Sequence, residues 1–452
     1  MKVYNSLTRQ DEELQPLAGD EIRLYTCGPT VYNFAHIGNF RAYTFEDVLR
    51  RVIEFNGLKV RQVMNLTDVD DKTIRGANAA KVPLTDYTKT YKDAFFADLK
   101  TLNIEPAEVY PAATDHIPEM IALVEKLMAK GIAYRSEDGS VYFNVRKFPG
   151  YGKLAHIDFD HQQTGARCAA DEYDKENVGD FALWKAWEES DGPIGWDSPW
   201  GRGRPGWHIE CSAMSMKYLG ESFDMHTGGI DNLFPHHENE IAQAEAATGK
   251  PFVRTWMHCA HLRVNGEKMS KSAGNFFTLR DLLEKGYTGR EIRYVLINAH
   301  YRTGLNFAFS ALEDARKSLE RIDRSVALCT DGETPDWALK HLDDFTKAVN
   351  DDLNLPGAFA ALFALVRDVN SHNGGSVLSV FKRMDRVLGV IFFGKTEPAG
   401  QKLPDEVAAL LAERAAARAA KNWAESDRLR DAIAALGYAV KDSREGQTCV
   451  KK

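Results

Sequence analysis

The feature that most limits the fold of this chain is a strand, a helix and a second strand that follow one another closely. The first strand covers residues 22–28, the helix 41–55 and the second strand 58–66. The helix should stop at Asn56-Gly57, because a glycine readily takes the left-handed backbone that ends a helix. Since a helical crossover joins strands that run in the same direction, the sequence predicts an α/β fold with a parallel sheet.

Beyond this unit the apolar pattern changes along the chain. It loses clear periodicity after about residue 138, returns near residue 206, and becomes helical after about residue 301. This predicts a sheet domain split by an insertion, then a helix bundle and a small last unit. The predicted boundaries are 1–130 and 201–300 for the sheet domain, 131–200 for the insertion, 301–393 for the bundle and 394–452 for the last unit.

Composition narrows the functional class. The net charge of -8 argues against a protein that coats nucleic acid through a basic surface, so any such contact must come from local patches. The six cysteines lack the dense spacing of a secreted disulfide scaffold. The N-terminus is polar, and no stretch approaches the roughly 18 apolar residues of a membrane helix. A cytoplasmic protein without a membrane partner is therefore expected.

The loop at residues 27–39 joins the first strand to the first helix, the place where doubly wound sheets bind nucleotides. Free backbone amides at a helix start attract phosphate, and Gly38 would let the backbone come close. His36 and Asn39 can donate hydrogen bonds to phosphate oxygens. Taken alone, a motif of this kind is more often a structural turn than a phosphate site.

A second polar loop, residues 267–275, carries Lys268 and Lys271. It is predicted to lie between a strand at 256–262 and a helix that begins at Thr278 with Asp281 as its capping partner. A lysine is a compact charge that can follow a leaving pyrophosphate. For a generic lysine-rich turn, a solvated surface loop is the alternative. The presence of this motif and the motif at residues 27–39 in one chain favours a functional site over a surface loop.

These motifs resemble the H-I-G-H and K-M-S-K-S signatures of class I aminoacyl-tRNA synthetases, at His36-Ile37-Gly38-Asn39 and Lys268-Met269-Ser270-Lys271-Ser272. The blocks around them are similar to those of the cysteinyl-tRNA synthetase family, and they cover residues 27–32, 65–72, 206–214 and 234–240. The resemblance implies a Rossmann-like catalytic domain split by an insertion, an all-α helix bundle and a small anticodon-binding unit.

The sequence departs from the family pattern in two places. Asn39 stands where the signature more often has its second histidine, an exchange that keeps a hydrogen-bond donor. Residues 447–452 lack the Thr-Thr-Trp-Arg ending that such enzymes commonly show, so a tail contact through that tryptophan is not expected.

A metal site is suggested by four residues. His236 and Glu240 lie four apart after Pro235, a favoured first helical position, so both should project from one helical face. Cys27 at a strand end and Cys211 near a helix can converge on them. Two thiolates, an imidazole and a carboxylate make a tetrahedral zinc set. The resemblance implies one Zn²⁺ per chain, with the substrate's thiol as a further ligand.

Alternatives remain for this site. His237 is the nearest rival ligand, although it should lie on a different helical face from His236. The two cysteines could instead be small buried apolar residues, and His236 with Glu240 a surface pair.

The resemblance also assigns substrate contacts. It places Gly28, Thr67, Trp207, His226 and Asp231 at the amino-acid pocket. It gives ATP binding to His36, Gly38, Asn39, Gly229, Asp231 and Lys271, and catalytic roles to His36, Asn39, Lys268 and Lys271. For Trp207 a place as core filler, and for the glycines a simple turn, are the alternatives. The hard carboxylates of Asp68, Asp70 and Asp71 suit a Mg²⁺ site, but a structural role at a helix start is the preferred interpretation.

The implied activity is attack of the L-cysteine carboxylate on the α-phosphate of Mg²⁺-ATP, followed by transfer to the terminal adenosine of tRNA(Cys). The last unit would read the anticodon, and a monomer is expected. Basic residues and one stacking ring in that unit could contact the tRNA: Arg414, Arg418, Lys421, Trp423, Arg428 and Arg430. An Ala-rich helix with alternating charges is also typical of a plain solvated face.

Two rival functions stay open. One is a cysteine ligase that joins cysteine to an amino sugar, as in the mycothiol pathway, which would not need a helical region to read an anticodon. The other is a catalytically silent tRNA- or nucleotide-binding paralogue, against which the intact phosphate and zinc motifs count.

Overall fold

The computed structural model describes residues 1–157, 179–269, 274–394, 405–420, 422–443 and 446–451. The chain divides into two compact units, Met1–Phe393 and Gly394–Lys452, and each is described by itself.

The first unit contains strands and helices in a mixed order. Its strands are β1 (Lys2–Asn5), β2 (Gln10–Glu13), β3 (Glu21–Thr26), β4 (Lys59–Met64), β5 (Ala133–Arg135), β6 (Val141–Phe143), β7 (Phe181–Ala186), β8 (Gly203–Pro205), β9 (Phe223–Gly229), β10 (Val253–Cys259), β11 (Leu262–Val264), β12 (Glu267–Lys268) and β13 (Leu305–Phe307). Its helices are α1 (Ile37–Phe55), α2 (Asp71–Ala80), α3 (Leu84–Thr101), α4 (Ile117–Ala129), α5 (Trp207–Leu219), α6 (Glu238–Thr248), α7 (Leu279–Glu284), α8 (Gly289–Ile297), α9 (Phe309–Ala327), α10 (Asp336–Asn350), α11 (Leu355–Ser371) and α12 (Leu378–Leu388).

The central sheet is parallel, in the strand order β10-β9-β3-β4. Tyr25 pairs with Val63 on one side and with His226 on the other, so β3 lies in the middle of the sheet. The two neighbours of β3 are β4 and β9, which a long segment separates in the sequence. The predicted α/β fold with a parallel sheet is confirmed.

Helix α1 ends at Phe55 as predicted but begins at Ile37, four residues before the apolar repeat suggested. His36 is its N-cap. The His36 ring nitrogen Nδ1 accepts from the Asn39 backbone N–H at 3.2 Å, and the Asn39 side-chain Oδ1 accepts from the His36 N–H at 3.1 Å. This reciprocal cap satisfies backbone donors that the first turn would leave unpaired, which lengthens the helix.

The segment between β4 and β9 holds an antiparallel sheet in the order β5-β6-β7-β8. Strand β6 is buried at all three positions, Val141–Phe143. A strand that is buried on both faces has no polar alternation, so the periodicity of the sequence did not reveal it.

The acidic cluster after β4 has structural roles, as preferred from the sequence. Asp70 is the N-cap of α2 and accepts from the backbone N–H groups of Lys72 and Thr73 at 2.9 and 2.7 Å. Asp68 accepts from Lys92 Nζ at 2.6 Å. Ion pairs join Asp71 to two cations of β7 and β8, Lys185 and Arg204.

Helices α9 to α12 form the predicted bundle. One face of α9 is buried at Leu312, Ala315, Leu319, Ile322 and Val326. On α11 the residues Phe359, Leu362, Val366 and Val369 are buried, and Phe363 is half-buried. The bundle joins the sheet domain at the buried Arg293 of α8, which donates to Asp47 of α1 at 2.5 Å and to the Leu388 carbonyl of α12 at 2.9 Å.

The second unit consists of α13 (Asp405–Ala419) and α14 (Trp423–Ala435), followed by the antiparallel strands β14 (Tyr438–Ser443) and β15 (Gly446–Lys451). Leu429 and Ile433 of α14 are buried within it. Among the described residues, no helix combines the length and apolar character that crossing a membrane requires.

Candidate active site

The loop after β3 begins with a close backbone approach. The Gly28 N–H donates to the Asn65 side-chain Oδ1 at 2.9 Å, and a Cβ at Gly28 would lie 1.8 Å from the Asn65 carbonyl oxygen. Any larger residue would therefore push the loop off the end of β4. The contact explains why a glycine follows Cys27 at this point.

The same loop contacts the segment that precedes α7. The Ile37 N–H donates to the Phe277 carbonyl at 3.0 Å, and the His36 and Phe276 rings meet edge to face with centroids 5.2 Å apart. The predicted capping box at Thr278 and Asp281 is present. The lysine motif is thus joined at its C-terminal end to the histidine motif. The side chain of Lys268, and all of Lys271, lie outside the described residues.

A cavity of about 390 Å³ lies against this junction. Five of the residues assigned to ATP line it: His36, Gly38, Asn39, Gly229 and Asp231. The sixth, Lys271, is not described. Because the structure brings these five together from the start of α1 and the end of β9, the cavity stands at the carboxyl ends of neighbouring parallel strands, where nucleotides bind in such sheets.

The protonation of His36 follows from its contacts. Burial lowers the pKa of His36, an effect that the carboxylate of Asp231 partly opposes. The ring is therefore neutral near pH 7. Since Nδ1 accepts from the Asn39 N–H, the proton of the neutral ring belongs on Nε2, which can then donate a hydrogen bond.

The four predicted metal ligands meet in the interior of the domain. One ligand atom each of Cys27, Cys211, His236 and Glu240 can be chosen so that all lie within 4.8 Å of one another. Cys27 follows β3, Cys211 lies in α5, and the other two lie on either side of the start of α6. A hydrogen bond with Cys211, and burial, raise the pKa of Cys27. A bound cation would instead favour the thiolate.

The local backbone before α6 differs from the prediction. The regular helix was expected to begin at Pro235, but Phe234 has a non-helical backbone, the chain kinks there, and α6 begins at Glu238. His236 and Glu240 nevertheless converge, with His236 Nε2 3.1 Å from Glu240 Oε1.

The surroundings of Glu240 fit a cation. The carboxylate is fully buried, and its Oε2 lies 2.9 Å from His226 Nε2. Its Oε1 is within ion-pair distance of His236 but lacks an aligned hydrogen bond in the described structure. A buried carboxylate oxygen without a hydrogen bond is costly unless a cation meets it. The donor set of two thiols, an imidazole and this carboxylate suits zinc.

His236 is held for coordination by its neighbours. Its Nδ1 lies 2.8 Å from His208 Nδ1, and the Trp207 ring stacks on the imidazole. Burial lowers the pKa of His236 to about 3, so the ring is neutral. With Nδ1 engaged by His208, the other ring nitrogen, Nε2, points to the ligand cluster, as in metal sites where a second partner orients the histidine.

The rival ligand His237 is also close. Its Nε2 lies 3.3 Å from Cys27 Sγ, and a second group of Cys27, His226, His237 and Glu240 meets the same 4.8 Å limit. His237, which was expected on a different helical face from His236, therefore also reaches this group of residues. Both groups share Cys27 and Glu240, whereas only the first holds two thiols.

The residues assigned to the amino-acid pocket lie at different depths. Trp207 is 41% exposed, so it is not core filler. Thr67 is buried and donates to Glu210 Oε2 at 2.8 Å. His226 is fully buried and stacks on Trp256, with centroids 4.7 Å apart. Trp207 and Asp231 are therefore the exposed members of this set, while Thr67 and His226 are buried.

Arg414 does not belong to an exposed basic surface in the second unit. Its side chain is 1% exposed and donates to Gln447 Oε1 at 2.5 Å. This differs from the predicted tRNA contact, because the long side chain lies between α13 and β15. Lys421 lies outside the described residues.

The other residues of this unit that were predicted to contact tRNA are more accessible to solvent. Trp423 is 59% exposed at the start of α14. Arg428 and Arg430 are paired with Glu425 and Asp427 one turn earlier on the same helix. Arg418 is half-buried at the end of α13.

Some residues near the cluster were not predicted from the sequence. His258 of β10 lies 2.9 Å from His237 Nδ1, and His208 orients His236. His208 lies in the block at 206–214 that resembles the family, three residues before Cys211. Its closeness to Cys211 in the sequence could have indicated a place near the cluster. His258 had no such signal, since only the pairing of β10 with β9 brings it near.

Comparison with known families covers most of the chain. The family described as tRNA synthetases class I (C) catalytic domain matches residues 13–317. The DALR domain matches residues 344–392, and the cysteinyl-tRNA ligase anticodon binding domain matches residues 400–449.

Curated relatives match over the full length. A protein of Protochlamydia amoebophila named cysteine–tRNA ligase is 52% identical, covering 100% of this chain and 98% of its own. Another of the same name, from Brachyspira hyodysenteriae, is 49% identical over 98% of each chain. The solved methionyl-tRNA synthetase of Mycobacterium tuberculosis, in complex with methionyl-adenylate, has a TM-score of 0.59 at 16% identity, covering 82% of this chain and 89% of its own.

The structural likeness concerns the fold alone, because its sequence identity is low. The sequence relatives are a stronger finding, since they match the catalytic and helical regions and the last unit without a gap in coverage. The chain therefore belongs to the cysteinyl-tRNA synthetase family of class I aminoacyl-tRNA synthetases.

Proposed function

We propose that this chain activates L-cysteine with ATP to form cysteinyl-adenylate and pyrophosphate, and then transfers the cysteinyl group to the terminal adenosine of tRNA(Cys). The observation that carries the proposal is the meeting of Cys27, Cys211, His236 and Glu240 in one group, in a chain that also has a cavity lined by His36. A site selective for sulfur and a nucleotide cavity share one loop, residues 27–39.

Zinc would be held by Cys27, Cys211, His236 and Glu240, one ion per chain. When bound, it supplies a soft Lewis acid that favours a thiol, as thiolate, over the harder and less acidic hydroxyl of serine. Trp207 covers His236 on its outer side, and His208 holds the imidazole from within. Selection of cysteine can then be made at binding, without an editing site.

The first reaction needs no protein nucleophile, because the cysteine carboxylate is already ionised at neutral pH. It attacks the α-phosphate of Mg²⁺-ATP, a bond forms between carboxylate oxygen and phosphorus, and pyrophosphate leaves. The chain contributes position and charge. His36 Nε2–H and the Asn39 amide donate toward phosphate oxygens in the cavity, and Lys268 and Lys271 follow the charge that moves onto pyrophosphate.

Asp231 and Gly229 would receive the ATP ribose. The Asp231 carboxylate folds back over Gly229, where a Cβ would lie 2.4 Å from Asp231 Oδ1. The absence of a side chain at residue 229 therefore leaves the carboxylate its place in the cavity wall.

We further propose that residues 301–393 brace the inner limb of the tRNA and that residues 394–452 read the anticodon, in a protein that acts as a monomer. Trp423, Arg418, Lys421, Arg428 and Arg430 are the proposed contacts, while Arg414 holds the unit together from inside. An amino-sugar ligase is not favoured, since matches to the anticodon-binding family extend through residues 400–449.

The test is pyrophosphate exchange by the purified full-length chain, followed by charging of a tRNA(Cys) transcript. Exchange that requires L-cysteine and rejects L-serine is expected, together with charging that requires the intact transcript. Exchange without acceptance of tRNA would overturn the tRNA step, and no cysteine-dependent exchange at all would identify a silent binder.

A further inference from the structure

A second cavity, of about 460 Å³, lies beside the loop that carries the proposed active site. Its wall includes Tyr32 of that loop, the cations Lys72 and Arg75 of α2, and Tyr87 and Tyr91 of α3. Tyr32 stands between Cys27 and His36 in the sequence, so the cavity adjoins both proposed substrate sites. The proposed function leaves this cavity unused.

The aromatic rings of the cavity are fixed in place. Tyr87 and Tyr91 meet with ring centroids 5.2 Å apart, and Phe34 meets Tyr91 at 5.3 Å. The Tyr87 hydroxyl donates to the Tyr32 carbonyl oxygen at 2.9 Å. A Cβ at Gly76 would lie 2.2 Å from that hydroxyl oxygen, so a glycine in α2 is needed to seat the ring. Such rings form a rigid surface, with little conformational entropy left to lose on binding.

Within the described part of the chain, the two cations have no carboxylate partner. Lys72 Nζ lies 5.1 Å from the centroid of the Tyr32 ring, and both Lys72 and Arg75 are exposed. Neither forms an ion pair with any residue that the structure describes. The neighbouring carboxylate of Asp71 is already engaged by Lys185 and Arg204, and Asp70 caps α2. In a protein of net charge -8, two such cations beside aromatic rings indicate a site for an anion with flat rings.

We infer that this cavity binds the unpaired 3′ nucleotides of the tRNA, with bases on the tyrosine rings and phosphates at Lys72 and Arg75. The inference rests on the proposed function. Stacking surfaces next to basic side chains are how proteins hold single-stranded nucleic acid. ATP has its own cavity at His36, so the substrate with further phosphates and bases to place is the tRNA. The cavity then guides the strand toward the loop between Cys27 and His36.

The experiment compares the full-length wild-type protein with the double variant Lys72→Ala/Arg75→Ala and with Tyr91→Leu. Lys89→Ala is the matched control, because Lys89 is a cation on the same helix as Tyr91 but is exposed and paired with Asp93. Each protein is titrated with a tRNA(Cys) transcript and with the same transcript lacking its unpaired 3′ nucleotides. Thermal unfolding checks that each variant is folded.

For the wild type and the control, removal of the 3′ nucleotides should weaken binding about tenfold, as expected for loss of one or two stacked bases. The double variant should bind both transcripts equally, and its salt dependence on the intact transcript should be shallower, by about 1.4 in the log–log slope for two phosphate contacts. Tyr91→Leu should lose the truncation effect without changing the salt slope.

A double variant that still binds the intact transcript more tightly than the truncated one would overturn the inference. So would loss of cysteine-dependent pyrophosphate exchange in the double variant, since that reaction needs no tRNA. If the wild type itself shows no such exchange yet discriminates the two transcripts, the proposed function fails while the nucleotide site stands.

Discussion

The indole of Trp207 stacks on the imidazole of His236, with ring centroids 4.3 Å apart and ring planes 24° apart. Trp207 begins α5, and His236 comes just before α6. The contact shields one face of the His236 ring, a proposed metal ligand, from water. The Nδ1 atom of the same ring is held by His208.

Replacing Trp207 by alanine should therefore weaken zinc retention. Loss of a group that supports a metal ligand typically costs about 10- to 100-fold in metal affinity, and the lower end is expected for a partly exposed ring. Competition with a chromophoric chelator measures the change. Trp187→Ala is the control, because Trp187 is equally exposed, at 41%, but lies outside the cluster. Equal zinc affinity in the two variants would contradict the role of Trp207.

Replacing Cys211 by serine should lower the zinc content of the purified protein well below one ion per chain. A hydroxyl does not ionise to replace the thiolate as a zinc ligand near neutral pH. Metal analysis gives the content, and pyrophosphate exchange with cysteine and with serine gives the selectivity. Cys329→Ser, in the helix bundle, should leave both unchanged. Full zinc content in Cys211→Ser would instead favour the group that contains His226 and His237.

Two substitutions at Asn39 should separate its capping role from its role toward ATP. Asn39→Asp keeps an oxygen that accepts from the His36 N–H and places a negative charge at a helix start, so stability should change by less than about 0.5 kcal/mol. Adenylate formation should nevertheless fall by about 100-fold, because a donor becomes an anion facing phosphate. Asn39→Ala should lose both the activity and about 1 kcal/mol of unfolding free energy.

Denaturant unfolding and pyrophosphate exchange measure these two effects. Thr288→Ala is the matched control, since Thr288 caps α8 in the same reciprocal way. It should lose a similar free energy of unfolding while exchange stays near the wild-type rate. Undiminished exchange in Asn39→Asp would rule out a donor role for the Asn39 amide.

Lys271→Ala should slow adenylate formation by about 100- to 1,000-fold, the usual effect of removing a group that stabilises charge in a transition state. Cysteine binding should change little, because the proposed sulfur site is built from other residues. Single-turnover kinetics and equilibrium binding separate the two. Lys382→Ala, which removes a cation paired with Asp331 on the helix bundle, is the control. A wild-type exchange rate in Lys271→Ala would refute the role.

The buried ion pair of Asp47 with Arg293 should be needed for stability. Asp47 also accepts from Arg51 at 2.8 Å, so Asp47→Ala would remove the carboxylate that meets the buried Arg293, while Arg51 would still pair with Glu105. A loss of about 3–5 kcal/mol in unfolding free energy is expected. The control Asp20→Ala breaks a solvent-exposed pair with Lys59, which water and salt screen, so the free energy of unfolding should change little. Similar losses in both would contradict the buried pair.

Local sequence signals predicted much of the fold. The repeat at 41–55 predicted α1 and its end at Phe55, and the capping pair Thr278 with Asp281 predicted the start of α7. These signals work because helix periodicity and caps involve residues only three or four apart. The same reasoning placed α1 too late, since an N-cap histidine is uncommon and its reciprocal partner was interpreted as a functional residue only.

The ligand group was proposed from residue types and from the family resemblance. The structure brings Cys27, Cys211, His236 and Glu240 together, but it also brings in His237. Helical spacing alone predicted that neighbouring histidines would diverge. The chain kinks at the non-helical Phe234, just before these histidines, and nothing in the local sequence predicted that kink.

The sequence by itself determined the parallel α/β domain, the helix bundle and the motifs of the class I family, because periodicity, caps and short motifs are local. Only the tertiary structure decided that Trp207 covers His236, that Arg414 is buried, and that Tyr32 forms a cavity with α2 and α3. Such contacts join residues that are distant along the chain. They depend on how the parallel strands and their helices pack, which no window of neighbouring residues records.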